Sequence, residues 1–386
     1  MTRRLQVVLL TLVVLVAVLS LVAPAVASAC ECDSPYLRHH GAVIKVRPTH
    51  HDDTANLRCA LRVAEREPGH TIELAAGQFW TRQLWAAGFV GTLKGAGADK
   101  TILSNRGPLH VSTAEDVILN PPSASNPWPS FLTFVDGDFT MSDLGIRMKG
   151  PQLTAPWSFF GSPFENVITG EIVVTGSHAN ASFERLAIEG AIVDEGYGAP
   201  YGDIVSIFFQ PILGGWAKPL SGRFTVAGCT FRNVAMAFNT GVVEHAQITW
   251  HANTIENSGA GFEIWDAVHV LLNANGNHVK DATGLATGLP FPYPAIAVGG
   301  SSFAGLGLQD TTVLLTDNEV SGTAGQWGLW VVPWATDTLR AIAVGNAFPG
   351  TTGIYLGADS KGVIVKKDGA TVVDDAPLGN NYVLTP

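Results

Sequence analysis

Short runs of β-branched and aliphatic residues recur along this chain, each closed by a polar or glycine turn. Gln247-Ile-Thr-Trp-His-Ala-Asn253, Val270-Leu-Leu-Asn-Ala-Asn-Gly-Asn277, Val313-Leu-Leu-Thr-Asp-Asn318 and Ala341-Ile-Ala-Val-Gly-Asn346 all run into an asparagine. A hydrophobic residue follows two positions later: Ile255, Val279, Val320 and Phe348. The spacing repeats too. Cys229 to Asn253 is 24 residues, Asn253 to Asn277 is 24, Asn277 to Asn318 is 41 and Asn318 to Asn346 is 28. Cys229 with Phe231 fills the same slot, as do Leu186 with Ile188 and Leu144 with Ile146, at gaps of 43 and 42. A period near 24 with occasional additions suits a three-sided coil of strands whose insertions loop out at one corner. The asparagines then predict a ladder, since a turn amide can bond the equivalent position one coil away and satisfy buried backbone groups. The alternative is a set of unrelated turn asparagines, which are common anywhere.

The same register predicts a second strand in each coil, over Ala237-Phe-Asn-Thr240, Gly261-Phe-Glu-Ile264, Ala295-Ile-Ala-Val298, Gly328-Leu-Trp-Val331 and Gly353-Ile-Tyr-Leu356. Alternation turns Phe238, Phe262, Ile296, Leu329 and Ile354 inward, stacked one per coil. A propeller needs blades of about 40–45 residues with four strands, and a sandwich would not keep this register. The pattern therefore reads as a parallel β-helix, a solenoid. One helix is expected, capped by Asp52-Asp53-Thr54, with Leu57, Leu61 and Ala64 on one face and Pro68-Gly69 as its stop. Placed before the first coil, it would cover the open end of the stack. The polar segment Lys366 to Asn381 is expected to shield the other end.

Composition agrees with a large core: of 386 residues 46% are hydrophobic and 15% charged, which rules against a disordered chain. Residues 1–29 stand apart. Arg3 and Arg4, an apolar run from Val7 to Val22 and the Ala27-Ser28-Ala29 site are laid out as a secretory signal, so export is expected. The run is long enough that an uncleaved anchor is the alternative; Pro24 and the Ala-Ser-Ala site favour cleavage. The expected division is a signal over 1–29, an N-terminal segment over 30–42 and a β-helix domain over 43–386. Cleavage would leave Cys30 first, similar to a bacterial lipoprotein signal although Ala27 stands where Leu is preferred, so a lipid anchor at Cys30 is one outcome. Cys32 and Cys59 would then form a pair; in a soluble protein Cys59 could bond to Cys30 or to Cys32. Cys229 reads as a core thiol. No CxxC pair has a matching partner, so structural zinc is not expected. The mature chain would keep 21 basic and 33 acidic side chains, a net −12. That field repels nucleic acid, and disfavours acidic glycans unless a cation such as Ca²⁺ bridges like charges.

The opening segments Ile44-Lys-Val-Arg-Pro, Asp53-Thr-Ala, Thr71-Ile-Glu-Leu-Ala-Ala-Gly, Gly91-Thr-Leu-Lys-Gly-Ala-Gly and Asp99-Lys-Thr-Ile, together with the coil pattern, resemble the pectate-lyase-like right-handed β-helix superfamily over residues 43–385. The resemblance implies an all-β, single-stranded right-handed parallel β-helix with an N-terminal capping helix. It implies less about activity, because the superfamily holds polysaccharide lyases, hydrolases, epimerases and non-catalytic surface proteins.

Outward side chains on successive coils lie about 4.8 Å apart, which suits an extended chain ligand. On the second strand that row reads Asn239, Glu263, Ala297, Trp330 and Tyr355, with Trp265 and Trp334 near the following turn. Aromatic faces pack on sugar rings, so Trp330, Tyr355, Trp265 and Asn239 are the candidate glycan-binding residues. Alternatively these aromatics cover a neighbouring loop, notably the insertion from Asp281 to Pro294 with Phe291 and Tyr293. Candidate catalytic residues are Glu263 and Asp266, either of which could serve a two-carboxylate hydrolase or a lyase base, and His245 and His269, which stand one coil apart and should stack. A solvated or turn-bonded histidine pair is the plainer reading. Neither the tandem aspartates of the superfamily's hydrolases on the strand nor an Arg-x-Pro-x-x-Arg lyase signature is found. Asp136-Gly-Asp138 with Asp143 could chelate Ca²⁺, against a turn acid before glycine. Asp194-Glu195 and Asp203 flank an aromatic insertion from Tyr197 to Trp216, read as a packed loop. Glu184-Arg185 reads as a surface ion pair. The expected partner is polysaccharide, bound by a monomer, in one of two roles: a lyase- or hydrolase-like enzyme, or a non-catalytic envelope protein.

Overall fold

The structure, a computed structural model, describes residues 32, 34–82, 84–104, 130–147, 170–190, 206–209, 218–284, 293–299, 304–322, 325–376 and 379–385. The fold is carried by the unit Tyr36–Pro386. The signal segment, Cys30, Asp194, Glu195, Asp203 and Phe291 lie outside the described residues.

Strand register shows the coils directly. Leu84–Ala87, Ser130–Val135, Ile172–Val174, Ile207–Phe209, Phe238–Thr240, Phe262–Ile264, Ile296–Gly299, Leu329–Val332, Ile354–Leu356 and Val372–Asp374 pair in parallel, each with the next. A second parallel row runs from Val43–Val46 through Phe224–Ala227, Ile248–His251, Leu271–Asn275 and Thr312–Thr316 to Tyr382–Leu384. A third row of short strands, from Gly77–Trp80 to Glu319–Gly322, forms a separate parallel sheet of eight strands. Each strand bonds to the one a coil later, so the chain is a parallel β-helix.

The predicted inner stack is present. Phe238, Phe262, Ile296, Leu329 and Ile354 are partners in register and fully buried. Phe238 and Phe262 stack at 5.2 Å with planes 6° apart, and Trp250 packs on both at 4.8 and 5.0 Å. Burying each such ring is worth about 1.5–3 kcal/mol.

The asparagine ladder is also present. Asn253, Asn277 and Asn318 each offer a side-chain carbonyl to the backbone N–H one coil earlier, at 3.0–3.1 Å, and Asn346 does the same for Asn318. Their amides donate to the next asparagine's carbonyl oxygen and to strand carbonyls: Asn277 Nδ2 reaches Asn318 Oδ1 at 2.8 Å and the Trp250 carbonyl at 3.0 Å. All four side chains are buried. The corner is set by the residue before each rung, which takes the left-handed conformation at seven successive rungs from Leu144 to Asn346: Asp143, Arg185, Ala252 and Asp317 at φ 51–55°, Gly228, Gly276 and Gly345 at φ 60–68°. A non-glycine residue there costs about 1–2 kcal/mol, so the ladder must outweigh that strain.

The helix spans Thr54–Arg66 and buries Leu57, Cys59, Ala60, Leu61 and Ala64. It follows the first strands instead of preceding them: Leu37–His40 pairs antiparallel with Val43–Val46 ahead of it. Of the expected cap Asp52-Asp53-Thr54, Asp52 accepts the Thr54 N–H at 2.9 Å. Asp53 is buried and receives the Thr49 and Trp80 N–H groups at 2.7 and 2.9 Å, tying the helix start to the first coil; burial raises its pKa despite those bonds. At the far end, the polar segment expected to shield the stack instead contributes another coil, through the strand Val372–Asp374. Cys32 and Cys59 are each disulfide-bonded, and Cys229 is free and buried.

Candidate functional site

The predicted outward row holds its register: Asn239, Glu263, Ala297, Trp330 and Tyr355 are successive partners. It divides into two parts of different character. Its first part is closed. Asn239 is 6% exposed, Glu263 4%, Trp265 2% and Asp266 0%, so none of these four lines an open groove as the sequence suggested. The reason is a buried polar network. Trp265 Nε1 donates to Asn239 Oδ1 at 2.8 Å, Asn239 Nδ2 donates to Glu263 Oε2 at 2.7 Å, and the Tyr293 hydroxyl donates to Glu263 Oε1. The Trp265 ring lies over Gly241, its partner one coil earlier, where a Cβ would fall 2.2 Å from the indole.

Asp266 and Glu263 hold different hydrogen-bond partners. Asp266 sits at the corner with φ 43°, and its carboxylate accepts three backbone N–H groups: Ala304 at 2.7 Å, Leu306 at 3.0 Å and Gly307 at 2.8 Å. It fastens the segment 304–307 to the coil. His245 and His269 stack as expected, with centroids 4.9 Å apart and planes 10° from parallel. Both are exposed, both have positive φ, and they face Glu244 at 3.4 Å and Asp310 at 3.5 Å. They are corner residues joined by ring stacking, each facing a different acid, and the groups they face differ from the partners of Glu263.

The second part of the row is aromatic and partly open. Trp330 and Tyr355 are half-buried neighbours with ring centroids 5.9 Å apart; Trp327 meets Tyr355 at 5.4 Å and Tyr293 meets Trp330 at 6.3 Å. Trp334 is 53% exposed in the following turn. The Tyr355 hydroxyl donates to Asp375 at 2.8 Å, which raises the tyrosine pKa because the bond and the charge favour the protonated form. Tyr293 was named from the sequence only as an aromatic of the insertion that the row could cover, and its contact with Trp330 agrees with that alternative. Trp327 and Asp375 were not singled out: Trp327 directly precedes a predicted strand, a usable signal, whereas Asp375 was hidden in the segment assigned to the end shield. There it forms the tandem Asp374-Asp375 at the end of the strand Val372–Asp374, in the row that carries Trp330 and Tyr355. Asp374 is engaged in its own turn, accepting the Ala376 N–H at 2.9 Å and Asn381 Nδ2 at 3.1 Å.

The other acidic groups are structural. Asp136 accepts the Ser177 and His178 N–H groups, Asp138 accepts from Asn180, and Asp143 pairs with Arg185 at 2.7 and 2.9 Å. The Arg185 hydrogen bond lowers the Asp143 pKa, and Arg185 also meets Glu184 at 3.1 Å on the surface. Among the described residues no group of three or more His, Cys, Asp or Glu side chains is placed to hold a metal ion, nor is any helix long and apolar enough to cross a membrane.

No protein-family model matches this chain, and no curated protein does. Solved structures with a similar course include the A-module of mannuronan C-5 epimerase AlgE4 from Azotobacter vinelandii, at 12% identity over 87% of this chain and 93% of that one, TM-score 0.30. The AlgE6 A-module of the same organism follows at 13% over 86% and 84%, TM-score 0.36. The tailspike protein gp49 of Acinetobacter baumannii bacteriophage Fri1, a capsular polysaccharide depolymerase, gives 11% over 90% and 64%, TM-score 0.31. All three scores lie below 0.5, and the fold assignment rests on strand register alone.

Proposed function

We propose that this chain is an exported β-helix protein that binds polysaccharide along the aromatic part of the strand row that carries Trp330 and Tyr355, without using Glu263 and Asp266 as a catalytic pair. One observation carries the reading. Trp330 and Tyr355 stand in register and partly open on adjacent coils, while the two carboxylates are buried in separate structural roles. Half-open aromatic rings on a flat parallel sheet suit the apolar faces of sugar rings, which gain packing and lose little entropy on a rigid surface. A net −12 argues against nucleic acid as the partner. Free secretion and a lipid anchor at Cys30 are both compatible with the reading, as is a bridging Ca²⁺ brought by an acidic ligand.

A second reading has its own observation. The Tyr293 hydroxyl donates a hydrogen bond to buried Glu263 beside Trp330, and a tyrosine so paired can exchange a proton with a bound sugar.

The deciding experiment is affinity electrophoresis of the mature chain in gels containing polysaccharide, run beside assays for reducing ends and unsaturated products. Retardation without cleavage, lost at least tenfold in Trp330→Ala, is expected. Cleavage that disappears in Tyr293→Phe and Glu263→Gln would replace the binding reading with the enzymatic one. Retardation unchanged in Trp330→Ala would remove the aromatic row from the binding surface.

A further inference from the structure

We infer that the aromatic surface selects a neutral, hydroxyl-rich glycan laid along the axis of the stack, with Asp375 as its hydrogen-bond anchor; this inference rests on the binding reading above. The direction follows from the register. Trp330 and Tyr355 are Cα partners on consecutive coils, so the line joining them runs across the strands and along the axis. Within each strand the next residues, Val331 and Leu356, turn into the core, so the register-paired rings Trp330 and Tyr355 are met together only by a glycan that crosses the strands.

The class follows from charge. The three segments that build this surface, 327–337, 353–361 and 372–376, carry Asp337, Asp359, Asp374 and Asp375 against one cation, Lys361. The Lys361 ammonium already donates to the Ala335 carbonyl at 3.3 Å. Asp337 is committed as well, accepting the Trp334 N–H at 2.8 Å and lying 3.4 Å from Gln309 Nε2. Asp374 is committed to its turn. Asp375 is different. It is exposed at the outer margin of the aromatic run, and its carboxylate receives the Tyr355 hydroxyl at 2.8 Å. A carboxylate has room for about four acceptor bonds, so one that holds a tyrosine can still accept sugar hydroxyls beside the ring it orients. A uronate chain on the same surface would set its carboxylates against these aspartates. Like charges at contact weaken binding, and salt screens them only in part.

The test is affinity electrophoresis of the full mature chain in gels containing galactomannan or hydroxyethylcellulose as neutral probes, and polygalacturonate or alginate as acidic ones, each with EDTA and with Ca²⁺. Retardation by a neutral probe and not by the acidic ones is expected. It should weaken about five- to tenfold in Asp375→Ala, the loss of one charge-assisted contact, and less in Tyr355→Phe, which keeps the ring. Asp375 is exposed, and an unchanged near-ultraviolet circular dichroism spectrum certifies that the variants fold. If an acidic probe binds through Trp330 while neutral ones do not, the neutral assignment falls; if Asp375→Ala leaves neutral binding intact, the Asp375 anchor falls; in either case the binding reading stands. If no probe is held through Trp330, both fall together.

Discussion

Cys229 occupies an asparagine rung: its N–H is received by Asn253 Oδ1 at 3.0 Å, and its own sulfur receives the Leu186 N–H at 3.4 Å. The thiol thus passes the ladder one coil further toward the N-terminus, as a weaker acceptor in a smaller side chain. Cys229→Ala should therefore cost about 1–3 kcal/mol, the penalty of leaving the buried Leu186 N–H unsatisfied, read as a lower denaturant midpoint.

The same thiol carries a pH consequence. Burial pushes its pKa up to about 12 from 9.0. An acid with a raised folded pKa contributes stability that is full below pH 9 and is lost as pH rises from 9 toward 12, because only the unfolded chain releases the proton there. Unfolding midpoints across pH 8–11 should fall for the native chain, and fall less in Cys229→Ala. A thiol reagent at pH 8 should leave Cys229 unmodified until the protein unfolds.

Asn277 lies in the middle of the ladder. Asn277→Ala removes the acceptor for the Asn253 N–H and amide and the donor to Trp250 and Asn318. The expected loss is about 3 kcal/mol, larger than at Asn346 near the end of the run. Asn277→Asp keeps the acceptor and loses the amide donor, and should be destabilised more strongly at neutral pH than at pH 4.

Gly241 is required by a ring and not by its backbone angle. Gly241→Ala should push the Trp265 indole off its seat and break its bond to Asn239. A red-shifted tryptophan emission spectrum would report the change; an unchanged spectrum and stability would mean that the indole has room to shift.

Asp266→Ala frees three backbone N–H groups of the segment 304–307. Faster proteolysis in that segment and a stability loss of about 2–4 kcal/mol are expected, with glycan retention unchanged. A selective loss of activity in a stable variant would return Asp266 to a catalytic role.

What was legible in the sequence follows from distance along the chain. The ladder and the inner stack could be read because Cys229, Asn253 and Asn277, like Phe238 and Phe262, recur at 24 residues and later coils repeat similar residue types at longer gaps; the His245–His269 stack followed from the same 24-residue spacing. Asp266 could not be read correctly, since the amides it holds lie about 40 residues on, at the edge of an insertion that breaks the period. Glu263 was placed on the right row with the wrong exposure, because the hydroxyl that covers it comes from Tyr293, inside another insertion. The last coil was missed because polar residues dominate it; Val372 and Val373 alone mark the strand.

From Leu144 to Asn346 the chain passes the corner before each rung in one backbone conformation, whether the next corner is 24, 28 or 41–43 residues away. The corner works like a hinge pin that accepts panels of any width. Whole turns could be excised or duplicated between matching rungs without altering how their neighbours meet, so the length of the molecule, and with it the span of any ligand laid along it, can be changed in units of one coil.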